Sequence, residues 1–258
     1  LQIACRIFAN IKKKKIGLID LNFLGKSRTK AKFKKQYKDI KISYLKRIRW
    51  AVSMFYFGMG LCFATWASRI PDIKTTLQLS EGDLGTILFA LPFGQLIIMP
   101  FSGKLVSRFG SHRMLVFSLL FYVFSLTNIG LANNAWQLSA ALFVFGIFGN
   151  LSNIAVNTQG VYTEVLFKKT IMSSFHGMWS FAGFMGALVG LVMLAFELTP
   201  YIHFLIVGGV VLLMMAFNFQ FLIKAKETIK VKKKKMFSKP DSALIWLGII
   251  GFCSMASE

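Results

Sequence analysis

The chain has 258 residues, of which 55% are hydrophobic and 15% aromatic, and this is too apolar for an ordinary soluble domain of that length. Its net charge of +21 is concentrated in residues 1–49 and 224–239, so the excess does not form a nucleic-acid-binding face. Cys5, Cys62 and Cys253 lie far apart, and the sequence has no CxxC motif or Cys/His cluster. We therefore expect no metal site, no cofactor and no nucleic-acid partner.

The first segment, residues 1–44, is basic and begins with Leu1 rather than Met. Its apolar pieces are too short for a signal peptide. We expect a disordered cytoplasmic tail or a non-native leader, with binding to anionic lipid headgroups as the alternative.

Six apolar runs follow, and each is long enough to cross a hydrocarbon core of about 30 Å as a helix of about 20 residues. They are residues 50–68, 83–102, 114–132, 136–160, 173–196 and 201–223. The prediction is an all-α membrane protein with a six-helix unit over 45–223. A basic linker over 224–242 and the start of a seventh helix, cut off within 243–258, are expected to follow.

The charges of the loops predict the orientation of the spans. The loops 133–135 and 197–200 contain no Lys or Arg, and the loop 69–82 balances its two cations with acids. The other loops are basic, and basic loops stay on the cytoplasmic side. We expect a cytoplasmic N-terminus.

The fourth span carries a polar stripe of three asparagines, Asn150, Asn153 and Asn157, at positions i, i+3 and i+7 of one helix face. An isolated amide in lipid is costly, so this face meets protein or water. We favour a water-filled cavity that binds a polar solute, and hydrogen bonding between helices is the alternative. Gln95 in the second span is a further candidate for the cavity.

Titratable side chains within the spans are few. His176 opens the fifth span and Glu258 lies in the predicted seventh helix, so both are candidates for proton coupling. A hydrogen-bonded structural role is the alternative for His176, and solvation at the span's outer end is the alternative for Glu258. His203, at the outer edge of the sixth span, is expected to be interfacial.

The fifth span also carries a row of glycines, and its GxxxG spacing favours close helix packing over a gating role. They are Gly183, Gly186 and Gly190.

Four segments together resemble the major facilitator superfamily of secondary transporters, in a bacterial branch near fucose permease and the YbjJ-type inner-membrane proteins. They are WASRIPDIKTTLQLSEGDLG (66–85), GKLVSRFGSHR (103–113), FGNLSNIAVNTQG (148–160) and SFHGMWSFAGFMGA (174–187). The resemblance implies twelve helices in two halves, inverted three-helix repeats, and substrate bound at the midplane between the halves.

The second of these segments matches the signature loop that locks the cytoplasmic side of the superfamily between conformations. By position the role falls to Gly103, Arg108, Gly110 and Arg113. The family's acidic residue is replaced by Ser107, so one helix-capping carboxylate is missing from the lock.

The resulting hypothesis is the N-terminal half, plus the start of the seventh helix, of an inner-membrane transporter working by alternating access. The expected partners are a small polar solute, sugar-like by resemblance, the lipid bilayer and a missing C-terminal half. We expect no enzyme, because the sequence has no HExxH, Ser/His/Asp or phosphate-loop pattern. A membrane-embedded sensor or assembly partner on the same fold is the alternative.

Overall fold

The structure is a computed structural model that describes residues 27–224 and Trp246. Within that part of the chain all regular structure is helical. The helices are α1 Ser27–Ser68, α2 Ile70–Thr76, α3 Glu81–Phe109, α4 Ser111–Ile129, α5 Ala135–Phe167, α6 Met172–Ala195 and α7 Pro200–Asn218, with a 3-10 turn at Phe219–Phe221.

Six of these segments are long and apolar enough to cross a membrane, which confirms the six predicted spans. We number them one to six: Ile42–Ser68 within α1, then α3, α4, α5, α6, and Pro200–Phe221 at the end. The predicted linker beyond Lys224, and the predicted seventh helix except Trp246, lie outside the described residues. Glu258 is among the residues not described.

Residues 27–44 fall in the segment expected to be a disordered tail or a non-native leader; here α1 begins at Ser27 and continues without a break into the first span. No glycine or proline interrupts the chain between Gly25 and Gly58. Its lysine and alanine residues also favour helix. Residues 1–26 lie outside the described part of the chain.

Side-chain caps define where several spans begin. Ser80 and Asp83 form a reciprocal capping box at the start of α3. The Asn134 side chain accepts a hydrogen bond of 2.9 Å from the Gln137 amide at the start of α5. Gly110, with φ of +86°, makes the tight turn from α3 to α4, a backbone conformation that glycine adopts without strain.

Backbone contacts between glycines and neighbouring helices set the packing of the bundle. The second and fourth spans cross where a Cβ on Gly94 would lie 2.2 Å from the Phe143 carbonyl oxygen, and one on Gly146 would lie 2.1 Å from that of Leu91. Small residues allow such close approach, which gives helices in lipid their van der Waals attraction.

The first and fifth spans make a similar crossing. A Cβ on Gly186 would lie 2.7 Å from the Ala64 Cβ, and one on Gly190 would lie 2.5 Å from the Ser68 Oγ. A Cβ on Gly183 would meet nothing within 4 Å among the described residues. Among the described residues no contact of this kind supports the predicted packing role of Gly183, which stays a prediction.

The two ends of the bundle differ in charge. One end, which we call the basic end, exposes Lys104, Arg108, Arg113, Lys168 and Lys169. The opposite end, which we call the far end, holds α2 and the loop before the sixth span. There Arg69 pairs with Asp72, and Lys74 pairs with Glu81.

Candidate functional site

The polar stripe of the fourth span divides between two neighbouring helices. Asn150 accepts a hydrogen bond of 2.9 Å from the Ser102 hydroxyl of the second span. Asn157 accepts one of 2.6 Å from the Tyr56 hydroxyl of the first span. Two of the three amides thus hold helices together, as the alternative for this stripe anticipated.

Asn153 lies between these two contacts and is exposed. Its Oδ1 accepts a hydrogen bond of 2.9 Å from the Asn157 amide nitrogen. The Asn153 amide nitrogen itself has no hydrogen-bond partner among the described residues. Asn153 therefore presents an open donor on the face where the fourth span meets the first, backed by a chain of hydrogen bonds through Asn157 to Tyr56.

The Tyr56 ring is held rigidly at the back of this chain. It is only 2% exposed and stacks on Phe175 with ring centroids 5.4 Å apart. The exposed His176 ring meets it edge-on at 5.5 Å, and the hydroxyl lies 3.4 Å from the Met172 sulfur. We call Tyr56, Asn153, Asn157 and His176 the polar cluster. Its amides, phenol and imidazole suit the hydroxyl or carbonyl groups of a solute.

The other predicted site residues lie apart from the polar cluster. Gln95 is half-buried on the second span, with no hydrogen-bond partner for its side chain in the described part of the chain, so it has capacity for a ligand. Arg108 and Arg113 are exposed at the basic end, where Arg108 lies 5.5 Å from the ring centroid of its neighbour Phe109. Neither arginine forms an ion pair with a described residue, and a Cβ on Gly103 would meet nothing within 4 Å.

A buried glutamine at the basic end was not predicted to have a role. The Gln159 amide nitrogen donates to the Ser111 hydroxyl at 2.9 Å and to the Ile223 carbonyl at 3.0 Å. Its oxygen accepts from the Ile223 amide at 2.9 Å. Gln159 therefore ties the fourth span to the start of the third and to the end of the sixth. The sequence signal was a long amide side chain inside an apolar span.

Glu164 continues the fourth span toward the basic end and caps the fifth. One of its carboxylate oxygens accepts hydrogen bonds from the Ile171 and Met172 amides, at 2.7 and 2.8 Å. A carboxylate at a helix N-terminus is stabilised by the free amides and by the helix dipole.

The far end contains a buried charged cluster. Arg69 is 2% exposed and donates from Nε to His203 Nδ1 at 3.1 Å. Its other nitrogens reach Asp72 and, at 2.8 Å, the Leu198 carbonyl. His203, expected to be interfacial, lies in the first turn of the sixth span, where its ring is fully buried beside Arg69 and Gly190.

Three proteins with similar sequences are named as transporters or as a membrane protein. An uncharacterized transporter of Sinorhizobium fredii is 30% identical over 203 residues, which cover 77% of this chain and 53% of that protein. An uncharacterized MFS-type transporter of Yersinia pestis is 30% identical over 132 residues, 51% of this chain and 34% of its own length. The membrane protein MosC of Rhizobium meliloti is 30% identical over 127 residues, 49% of this chain and 31% of MosC.

The chain thus spans about half the length of the first of these relatives and about a third of the other two. The sequence pattern of the Major Facilitator Superfamily matches residues 45–257, which include the second to sixth spans in full and the first span from residue 45. This chain is therefore a multi-pass membrane protein that belongs to the Major Facilitator Superfamily.

Proposed function

We propose that the chain is the N-terminal half of a secondary transporter that moves a small, polar, uncharged solute by alternating access. The observation that carries the proposal is the polar cluster, with its open amide donor on Asn153. Within the superfamily, the four matching segments favour the branch near fucose permease and the YbjJ-type proteins, and that branch favours a sugar-like solute.

The energetic argument starts from the cost of polar groups in lipid. An exposed amide facing hydrocarbon loses hydrogen bonds worth a few kcal/mol. Holding two helices together requires only the bonds of Asn150 and Asn157. Asn153 adds an amide whose nitrogen lacks a hydrogen-bond partner in the described part of the chain. Because an unpaired amide is costly in hydrocarbon, we infer that this face of the fourth span meets water or solute.

The chemistry of the cluster favours a neutral solute. Asn153, Asn157 and Tyr56 donate and accept hydrogen bonds without carrying a fixed charge. The carboxylate of Glu164, seven residues beyond Asn157 on the same helix, already accepts hydrogen bonds from two backbone amides. A solute with several hydroxyl groups matches this set, because each hydroxyl both donates and accepts.

We propose a cytoplasmic basic end and N-terminus, with the protein in a bacterial inner membrane. The exposed cations of the basic end, among them Lys104, Arg108 and Arg113, favour that orientation under the positive-inside rule. The two cations in α2 and the turn before it, Arg69 and Lys74, are each paired with a carboxylate. The far end therefore offers no comparable excess of positive charge.

The missing partner in this proposal is a second six-helix half. Alternating access requires one half to rock against the other around the solute. On this proposal the exposed apolar faces of the second and fifth spans, which are the least buried of the six, meet either lipid or that second half.

The test uses the two-half protein in proteoliposomes with radiolabelled sugars. We expect Asn153→Leu to abolish uptake while membrane insertion stays normal, because the open donor is lost. Asn128→Leu is the matched control, since the Asn128 amide bonds to its own helix at the Phe124 carbonyl and lies outside the polar cluster. Normal uptake by Asn153→Leu would refute the site.

A measurement of ion flux distinguishes a transporter from the alternative, a sensor on the same fold. A transporter that couples solute to an ion moves that ion when solute is added to one side of the membrane. A sensor binds solute in the same cluster and moves nothing. Solute binding that is lost in Asn153→Leu, with no flux of solute or ion in the unmodified protein, would favour the sensor.

A further inference from the structure

We propose that His203 is a proton-binding site that holds the far end closed only while its ring is neutral. His203 lies in the sixth span, far along the chain from the first span that it contacts through Arg69. The proposal needs no solute, so it is independent of the transport function proposed above.

The geometry fixes the protonation state of the closed arrangement. A guanidinium only donates hydrogen bonds, so His203 Nδ1 must accept the bond from Arg69 Nε at 3.1 Å. The single ring proton is then on Nε2, which is buried and has no hydrogen-bond partner among the described residues. The imidazole of the closed state is therefore neutral.

Protonation of Nδ1 removes the acceptor and sets a second cation against Arg69. The charged groups that face this ring in the described structure are Arg69 and Asp72, and Gly190 of the fifth span lies beside it. The one carboxylate already pairs with Arg69, so it does not balance two cations. Like charges at hydrogen-bond distance in a buried site repel strongly.

The hydrogen bond between Arg69 and His203 joins the end of the first span to the start of the sixth at the far end. Arg69 follows the first span, and it also donates to the Leu198 carbonyl just before the sixth span. Ser68, the neighbour of Arg69, packs against Gly190 of the fifth span. Loss of the bond between Arg69 and His203 therefore loosens the first span from both the fifth and the sixth. By linkage, an open far end binds the proton more tightly.

The sign of the pH dependence follows directly. The closed arrangement requires the unprotonated ring, so it is favoured at high pH and lost as the pH falls. Asp72, whose side chain is 29% exposed, leaves this cluster within reach of solvent protons.

The experiment measures how fast a cysteine at Ser68 reacts with a water-soluble methanethiosulfonate reagent between pH 8 and pH 5. The 258-residue chain is placed in lipid nanodiscs, where both faces are accessible, after its three native cysteines are replaced by alanine. Each rate is divided by the rate for the same reporter in His203→Asn at the same pH. This ratio cancels the titration of the thiol itself.

His203→Asn supplies an oxygen acceptor near the position of Nδ1 and does not titrate. We expect the ratio to rise from about one at pH 8 to about ten at pH 5, as the neutral ring is lost. His203→Lys, a permanent cation, should react fast at every pH. If the ratio of the two rates does not change between pH 8 and pH 5, the proposal is overturned. This ratio tests the proposal without His203→Lys, so the test stands even if that variant does not fold.

Discussion

The crossing of the second and fourth spans makes a sharp prediction about stability. Gly146→Ala adds a methyl group whose carbon would lie 2.1 Å from the Leu91 carbonyl oxygen and 3.0 Å from the carbonyl carbon. These are backbone atoms in the middle of a helix, so no side-chain rotation relieves the clash. The two helices must move apart, or the variant must adopt another packing.

The magnitude follows from the contact distance. Carbon and oxygen atoms at close helix crossings approach to about 3.3 Å, so the helices must separate by about 1.2 Å. Overpacking of this kind costs about 1–3 kcal/mol. Alanine gains about 1 kcal/mol over glycine from helix propensity, which partly offsets that cost.

The matched control removes the propensity contribution. Gly183→Ala makes the same change in a span, at a position where the added carbon meets nothing within 4 Å. We therefore expect Gly146→Ala to be less stable than Gly183→Ala by about 1–3 kcal/mol, a factor of about 5 to 150 in the unfolding equilibrium.

The assay is unfolding of the 258-residue chain by SDS in mixed micelles, followed by tryptophan fluorescence. Gly94→Ala should match Gly146→Ala, because its added carbon would lie 2.2 Å from the Phe143 carbonyl oxygen of the same crossing. The double variant should lose less free energy of unfolding than the sum of the losses in the two single variants, since one separation of the helices relieves both clashes. Equal stability of Gly146→Ala and Gly183→Ala would refute the crossing.

Three further predictions concern the basic end, the orientation and the isolated chain. Gln159→Leu leaves the Ile223 amide and carbonyl unpaired, so we expect a stability loss of at least about 2 kcal/mol, against almost none for the exposed Gln220→Leu. Cysteine at Asn134 should react with an impermeant reagent outside intact cells and cysteine at Lys234 should not; the reverse pattern contradicts the orientation. The 258-residue chain alone in liposomes should take up no solute, and measured uptake would contradict the need for a second half.

Hydrophobic run length predicted the six spans because crossing a bilayer imposes a minimum length on an apolar helix. The capping box of Ser80 and Asp83 was not predicted, although the two residues lie three positions apart and interact within one turn. The helical state of residues 27–44 was missed because a dense run of lysines resembles a disordered tail. These residues can continue the helix of the first span because no glycine or proline lies between Gly25 and Gly58.

Contacts between distant segments were not predictable in the same way. Arg69 and His203 are separated by 134 positions, and a single histidine near a span end is ordinarily interfacial. Gly94 and Gly146 carry no GxxxG spacing that would mark their crossing. For the asparagine stripe, periodicity predicted a shared face but not which neighbour each amide meets, because that depends on how the first and second spans pack around the fourth.

The packing of the six spans has an internal regularity that their sequences do not display. The first span packs most extensively on the fifth, and the second packs most extensively on the fourth. The third contacts the fourth, the sixth contacts the first, and the third and sixth contact each other. Exchanging spans one, two and three with four, five and six converts each of the first four contacts into another of the set and leaves the contact between the third and sixth in place. Such an arrangement is what two repeated three-helix units produce.

This regularity bears on the polar cluster. Each glycine crossing brings two backbones together and makes a tightly packed pair, one of spans one and five and one of spans two and four. The hydrogen bond from Tyr56 to Asn157 runs from the first pair to the second. On the proposed function, a solute that accepts a hydrogen bond from the open Asn153 amide binds at the end of the chain of hydrogen bonds that runs through Asn157 to Tyr56. Solute binding then adjoins the hydrogen bond from Tyr56 to Asn157, a polar contact between the two tightly packed pairs that has to break or shift when one pair moves against the other.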